Sequence, residues 1–222
     1  MKKVLAFVLV LTMVFCVSAC DKDSDVRGTY EGGASATPSD SSDGGSFDIG
    51  SVNANKYVNE FAGISCELGS EWTFLTDEQI KQNNEDTLGL LGDDYIEQLK
   101  NADTFTDMMA KHQNQTDTLN ITFEKLKGAN ALLSEERYIE LSADSVEQAF
   151  KSLGFSNLST SSSKVDFAGK ERHCLDITGG YNGITMYERM VVMKCDNYMV
   201  LITACTWPTN TCQDILNMFT AA

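Results

Sequence analysis

The chain is short of several things, and each shortage argues against a class of function. Its 222 residues include only two His and two Pro. That speaks against a multi-His metal site and against a proline-rich ligand segment. Seven Cys are present, yet no Cys-x-x-Cys pair occurs, which removes the strongest zinc and dithiol-redox signatures. Cations are scarce too: 17 Lys and Arg stand against 32 Asp and Glu, a formal charge of -15. Phosphate binding needs clustered Lys and Arg, so nucleic acid is not an expected partner, and neither is anionic lipid held by surface charge. No apolar run reaches the ~20 residues that cross a bilayer as a helix. No G-x-S-x-G elbow marks a serine hydrolase.

What is present starts with an address. Met1-Lys2-Lys3 precedes an apolar stretch, Val4 to Val17, and then the small-residue exit Ser18-Ala19-Cys20. A basic start, a short apolar segment and a small-residue end are the anatomy of a secretory signal. The end, Val17-Ser18-Ala19-Cys20, resembles the lipobox of bacterial lipoproteins. That resemblance implies cleavage between Ala19 and Cys20, with a diacylglyceryl group on Cys20 anchoring the chain to a membrane of the cell envelope. Each buried CH₂ of such an anchor contributes about 0.8 kcal/mol, so two or three acyl chains hold firmly. Cleavage also removes Lys2 and Lys3, which takes the mature charge from -15 to -17.

Residues 20–55 read as the lipidated Cys and an acidic, Gly- and Ser-rich tether with few large apolar side chains. Such a segment buries too little surface to offset its ordering entropy, so a flexible spacer is expected. Asp21, Asp23 and Asp25 imitate the start of a calcium loop. However, Val26 stands where the turn Gly belongs, and Gly32 where the bidentate Glu belongs.

The folded domain is expected over residues 56–222. Short strands Phe61–Leu68 and Trp72–Leu75 open it, and Thr76 with Gln79 forms a capping-box pattern that starts a helix at Asp77. Gly89 and Gly92 divide the segment from Asp77 to Lys100 into two helical pieces. Strands follow at Thr106–Gln113 and Thr118–Leu126. In the second, Leu119, Ile121 and Phe123 alternate with Asn120, Thr122 and Glu124, the period of a strand with one wet face. Ser134–Leu153 is a helix stopped by Gly154.

Lys170–Thr178, Thr185–Cys195 and Tyr198–Thr206 read as consecutive strands, the last two joined by the tight turn Asp196-Asn197. A final helix capped by Thr211 places Ile215, Leu216, Met218 and Phe219 inward. Tyr198–Thr206 is apolar on both faces, so its sheet must be covered on both sides. The fold class expected is α+β: a three-layer α/β/α sandwich on a mainly antiparallel sheet.

Phe61-Ala62-Gly63-Ile64-Ser65, Glu71-Trp72-Thr73-Phe74 leading into a helix, and the later Phe167-Ala168-Gly169-Lys170-Glu171 resemble PsbP-like domains. The resemblance covers about residues 57–220. It implies a binding or assembly protein without a catalytic site, and it carries no functional residue across.

Chemistry can still be sought in single residues. With Cys16 in the signal and Cys20 lipidated, Cys66, Cys174, Cys195, Cys205 and Cys212 remain, an odd number that leaves at least one unpaired within the chain. A two-residue turn at Asp196-Asn197 sets Cys195 opposite Tyr198 and Cys205 opposite Glu188, about 23 Å of strand apart, too far for a disulfide. Ile177 opposite Thr185 sets Cys174 opposite Glu188 as well. Cys205–Cys212 is then the one locally plausible bridge, and most of these thiols are expected to be small buried hydrophobes.

Cys212, at the first turn of the final helix, is the candidate reactive thiol, because backbone N–H groups there favour a thiolate. His112 and His173 fall on distant strands. The acidic group Asp77, Glu78, Glu85, Asp86, Asp93, Asp94, Glu97 and Asp103 reads as a solvated face, with a basic partner or a weakly held divalent cation as the sharper reading.

The sequence therefore predicts a lipid-anchored extracytoplasmic binding or assembly protein, with no catalytic residue, metal site or cofactor assigned. Its expected contacts are the membrane, through Cys20, and a protein partner. The alternative is a small hydrolase or thiol enzyme with a dispersed site. A solute-binding lipoprotein is disfavoured, because one domain of this size provides no hinged two-lobe cleft.

Overall fold

The computed structural model describes residues 47–91 and 103–222, with side chains described for 47–86 and 103–222. The signal, Cys20, the calcium-loop imitation, the tether up to residue 46, and the second helical piece with Asp93, Asp94 and Glu97 lie outside the described residues.

Eleven strands are described: β1 (Ser51–Asn53), β2 (Lys56–Asn59), β3 (Ile64–Glu67), β4 (Trp72–Phe74), β5 (Thr104–His112), β6 (Thr118–Lys125), β7 (Ser156–Phe167), β8 (Lys170–Tyr181), β9 (Ile184–Cys195), β10 (Tyr198–Thr206) and β11 (Phe219–Ala221). The helices are α1 (Asp77–Leu91), α2 (Glu135–Ser152) and the single-turn α3 (Cys212–Leu216), with a 3-10 turn at Gly128–Leu132. A seven-stranded sheet runs β4-β5-β6-β10-β9-β8-β7, and a four-stranded sheet runs β1-β2-β3-β11. Every pairing is antiparallel.

The α+β sandwich on a mainly antiparallel sheet is thus the observed fold. Its central strands are β10, β9 and β6, and β10 is buried on both faces from Met199 to Thr206. One face meets α2, whose buried Tyr138, Ile139, Ser142, Val146, Ala149 and Phe150 recur at three- and four-residue spacing. Ser134 caps that helix by accepting from the Arg137 N–H at 3.2 Å. The other face differs from the expected helical layer. It is covered mainly by the small sheet, through Tyr57, Ile64, Cys66 and Leu68, with Ile215 and Leu216 of α3. The final helix ends at Leu216 because the chain then turns to pair Phe219 with Cys66 as β11. Phe219 also packs against Phe167, ring centroids 5.0 Å apart.

The described fold includes residues 47–55, which the sequence assigns to the tether. Phe47 stacks on Tyr198 at 4.6 Å and meets Phe61, Phe105 and Phe123 edge-on. β1 pairs with β2, and the Gly50 N–H donates to Asp107 Oδ1 at 3.0 Å. Tyr57 Oη donates to Asp107 Oδ2 at 2.5 Å and Asn59 Nδ2 donates to the same oxygen at 2.9 Å. One carboxylate on β5 therefore gathers β2, the central sheet and the segment leading into β1. It sits where the β5–β6 register shifts between Thr106 and Met108.

The capping box at α1 is present in both directions: Thr76 N–H donates to Gln79 Oε1 at 2.9 Å, and Gln79 N–H donates to Thr76 Oγ1 at 3.3 Å. α1 continues through Gly89 to Leu91 without a break. The β8–β9 turn is tighter than expected. Asn182 and Gly183, both with positive φ (49° and 81°), form a two-residue connection, so Gly179 and Gly180 belong to β8. That moves the register: Ile177, not Cys174, faces Glu188, and Cys174 faces Val191. The β9–β10 register is as expected, with Tyr198 opposite Cys195 and Cys205 opposite Glu188.

Candidate functional site

The residues singled out by sequence are not gathered in one place. His112, at the end of β5, packs edge-on against Trp72 at 5.2 Å, and its Nδ1 accepts from the Asn114 N–H. His173 lies on β8 opposite Lys164. Cys66, Cys174, Cys195 and Cys212 are free, and the first two and the last are buried. A Cys205–Cys212 bridge is absent because the two residues belong to the two cores on opposite sides of the central sheet.

Cys212 Sγ instead donates to the carbonyl oxygens of Tyr187 (3.3 Å) and Ala204 (3.4 Å) and lies 3.4 Å from Thr206 Oγ1. Burial pushes this thiol up to about 11, the direction opposite to that expected at a helix N-terminus. Burial likewise pushes the Cys66 thiol up to about 12.

A polar network joins β7, β8, β9 and α3. Ser163 Oγ donates to Asp176 Oδ2 at 2.5 Å and lies 3.0 Å from Cys174 Sγ. Arg189 Nε donates to Asp176 Oδ1 at 2.6 Å, and Arg189 Nη1 to Gln213 Oε1 at 3.0 Å. Gln213 Nε2 continues to the Asp166 carbonyl at 3.2 Å. The carboxylate is committed to Arg189 and Ser163, and burial raises the Cys174 thiol, so the group is a clamp holding α3 to the sheet. Sequence reasoning missed it because its members are spread over fifty residues. Only the register of β7, β8 and β9 brings them together.

The α2 side of the central sheet carries the second unexpected feature. The side of β6 read as wet is buried: Thr118, Asn120, Thr122 and Glu124 are each at most 3 % exposed. Strand pairing puts them on the same face as Thr203 of β10 and Glu188 of β9. Tyr138 Oη of α2 donates to Glu124 Oε2 at 2.6 Å, yet burial still lifts Glu124 to about 7. Glu188 is 2 % exposed, neither carboxyl oxygen has a hydrogen-bond partner, and desolvation raises it to about 8. A buried carboxyl without a counter-charge stays protonated, the cheaper of its two forms.

Among the described residues a cavity lies between α1 and the β4–β5 pair. Its volume is about 480 Å³, within the ~300–1,000 Å³ of small-molecule sites. One wall is the α1 stripe Gln79, Gln82, Asn83 and Asp86, spaced i, i+3, i+4, i+7. The other comprises Thr73, Phe74 and Leu75 from β4 and its exit, with Lys111, His112 and Gln113 from β5. Burial holds the Lys111 ammonium below the usual lysine value. Of the described members of the acidic group read from sequence, only Asp86 lines this cleft. Among the described residues no cluster of three or more His, Cys, Asp or Glu is placed to hold a metal ion, and no helix is long and apolar enough to cross a membrane.

By sequence the chain matches no protein-family description and no curated protein. Among solved structures it is similar to LpqN, a protein involved in cell envelope biogenesis of Mycobacterium tuberculosis, at 11 % identity and a TM-score of 0.40. That match covers 71 % of this chain and 82 % of LpqN. It is also similar to the protein PA94 of Pseudomonas aeruginosa, at 14 % identity and a TM-score of 0.26, over 40 % of this chain and 58 % of that one.

Proposed function

We propose that this protein is a lipid-anchored binding or assembly module of the bacterial cell envelope, with its domain outside the cytoplasm and held through Cys20. The Val17-Ser18-Ala19-Cys20 sequence supports the anchor. The cleft of about 480 Å³ between α1 and β4–β5 carries the binding reading, because its volume falls in the small-molecule range and polar side chains of the helix and the sheet converge on it. A tether rich in acidic residues lets such a module search for its target close to the membrane while standing off an anionic surface.

The thiol-enzyme alternative receives less support. Its candidate nucleophiles, Cys174 and Cys212, are held as protonated thiols by burial, and no His lies beside either in the hydrogen-bonded groups they form.

The anchor is tested by fractionating cells that express the full chain. Wild type is expected in the membrane fraction, with an acylated Cys20 N-terminus by mass spectrometry, and Cys20→Ser in the aqueous fraction. An unmodified Cys20, or a Cys20→Ser variant that stays with the membrane, overturns the anchoring.

A further inference from the structure

The geometry points to the α1–β4–β5 cleft as a saccharide-binding site, an inference that rests on the binding-module reading and names its ligand class. The argument begins with the helix. α1 rests on the sheet through Ile80, which packs against Met109 and Leu75. Beside that contact, Gln79, Gln82, Asn83 and Asp86 form a neighbouring polar stripe that lines an open cleft between the helix and the β4–β5 pair.

The chemistry of this lining is selective. A carboxamide carries an acceptor oxygen and a donor NH₂ side by side, which matches adjacent hydroxyls on a sugar ring, each both donor and acceptor. Gln79 uses its Oε1 in the capping box and keeps its NH₂ as a donor. Gln82 donates its Nε2 to Asp86 Oδ1 at 2.8 Å and keeps its Oε1 as an acceptor. Gln113 and Gln115 add amides at the β5–β6 turn, and the hydroxyl of Thr73 lies on the sheet wall.

Leu75, which with Ile80 and Met109 joins α1 to the sheet, supplies an apolar surface for the C–H face of a ring. The formal charges among the lining residues, Lys111 and Asp86, cancel, so neither a strong anion nor a strong cation meets an excess of opposite charge. An extended peptide would require successive side-chain pockets or an added strand, whereas this site has one apolar wall in a compact volume. A neutral, hydroxyl-bearing ring or pair of rings is the class that uses what is there.

The experiment uses the full acylated chain in a detergent that contains no sugar, after its membrane attachment has been verified in the same preparation. Chitobiose and maltose are the probes, and tri-alanine is the peptide control. Side-chain amide resonances of Gln82, Gln113 and Gln115 are followed by NMR during titration. At least one disaccharide is expected to shift them with a millimolar or tighter dissociation constant. Gln82→Leu, at an exposed helix position, should weaken that binding about tenfold through the loss of one or two hydrogen bonds and leave the thermal melt unchanged. Gln113→Ala, on the opposite wall, gives an independent second variant.

The saccharide assignment is overturned if neither disaccharide moves these resonances at millimolar concentration, if tri-alanine alone moves them, or if both variants bind as wild type. A chain that stays on the membrane but ignores both sugars fails the ligand class alone. A chain that leaves the membrane fails the anchoring reading.

Discussion

Replacing Glu188 with Gln should stabilise this protein at alkaline pH and do almost nothing at acid pH. Glu188 is 2 % exposed on β9, facing Ile177 on one side and Cys205 on the other, and both carboxyl oxygens lack a hydrogen-bond partner. Desolvation raises its carboxyl from 4.5 to about 8. The sign follows from which state binds the proton. Below about 4.5 the carboxyl is neutral whether the chain is folded or not, and burial is least unfavourable. Between about 4.5 and about 8 the unfolded chain releases the proton while the folded chain retains it, so stability falls as pH rises. Above about 8 both states are ionised and the loss is complete.

Each pH unit in that window is worth about 1.4 kcal/mol, so the whole window removes roughly 4–5 kcal/mol, and relaxation of the site lowers that ceiling. Gln keeps the shape of the neutral acid and never ionises. Urea denaturation of wild type and Glu188→Gln across this range should give a stability difference near zero at about pH 4.5. The difference should grow to roughly 3–5 kcal/mol around pH 9. Stability curves that run parallel across this range would refute the claim that Glu188 is a buried, uncompensated carboxyl.

Two further outcomes follow from named contacts. Asp107→Ala removes the acceptor for Gly50 N–H, Tyr57 Oη and Asn59 Nδ2, and should destabilise the domain by about 2–4 kcal/mol in chemical denaturation. It should also raise amide exchange in β1 before the central sheet is affected. Tyr138→Phe removes the one donor that holds Glu124 down against desolvation, so the Glu124 titration, followed by side-chain carboxyl NMR, should move upward from about 7. The same substitution should cost about 1–2 kcal/mol where Glu124 is ionised and less where it is protonated.

Much of the fold was legible because its signals are local. The Thr76–Gln79 capping box, the Ser134 cap, the two-faced apolar pattern of β10 and the Asp196-Asn197 turn each depend on fewer than ten consecutive residues. Elements that depend on distant partners were not legible. β7 carries six Ser or Thr among its twelve residues and shows no apolar alternation, since it is an edge strand paired only to β8. β1, β2 and β11 are three or four residues long and exist because each pairs within the small sheet. The second cover of the central sheet is therefore expected of helices, since of its four strands only β3 shows in the sequence, within Phe61–Leu68. Asp107 could have been suspected only from an acidic residue interrupting Phe105, Met108 and Met109.

The polar sides of β6 and of α1 share a physical ambiguity that bears on function. Leu119-Asn120-Ile121-Thr122-Phe123-Glu124 alternates as a strand with a wet face does, but its polar side is enclosed, with Tyr138 of α2 reaching Glu124. α1 carries Gln79, Gln82 and Asp86 beside its docking residue Ile80, and there the polar side opens into a cleft. Alternation reports only that two sides of an element differ; it does not report whether the polar side meets water, protein or a ligand. In β6 the answer is a buried layer whose carboxyls are lifted toward neutrality, which a chain selected for stability alone would have replaced with apolar residues. In α1 it is an open cleft of about 480 Å³. Polar residues gathered in a buried layer or around a cleft are where binding specificity is to be sought, and among the described residues these two sets lie on one side of the seven-stranded sheet.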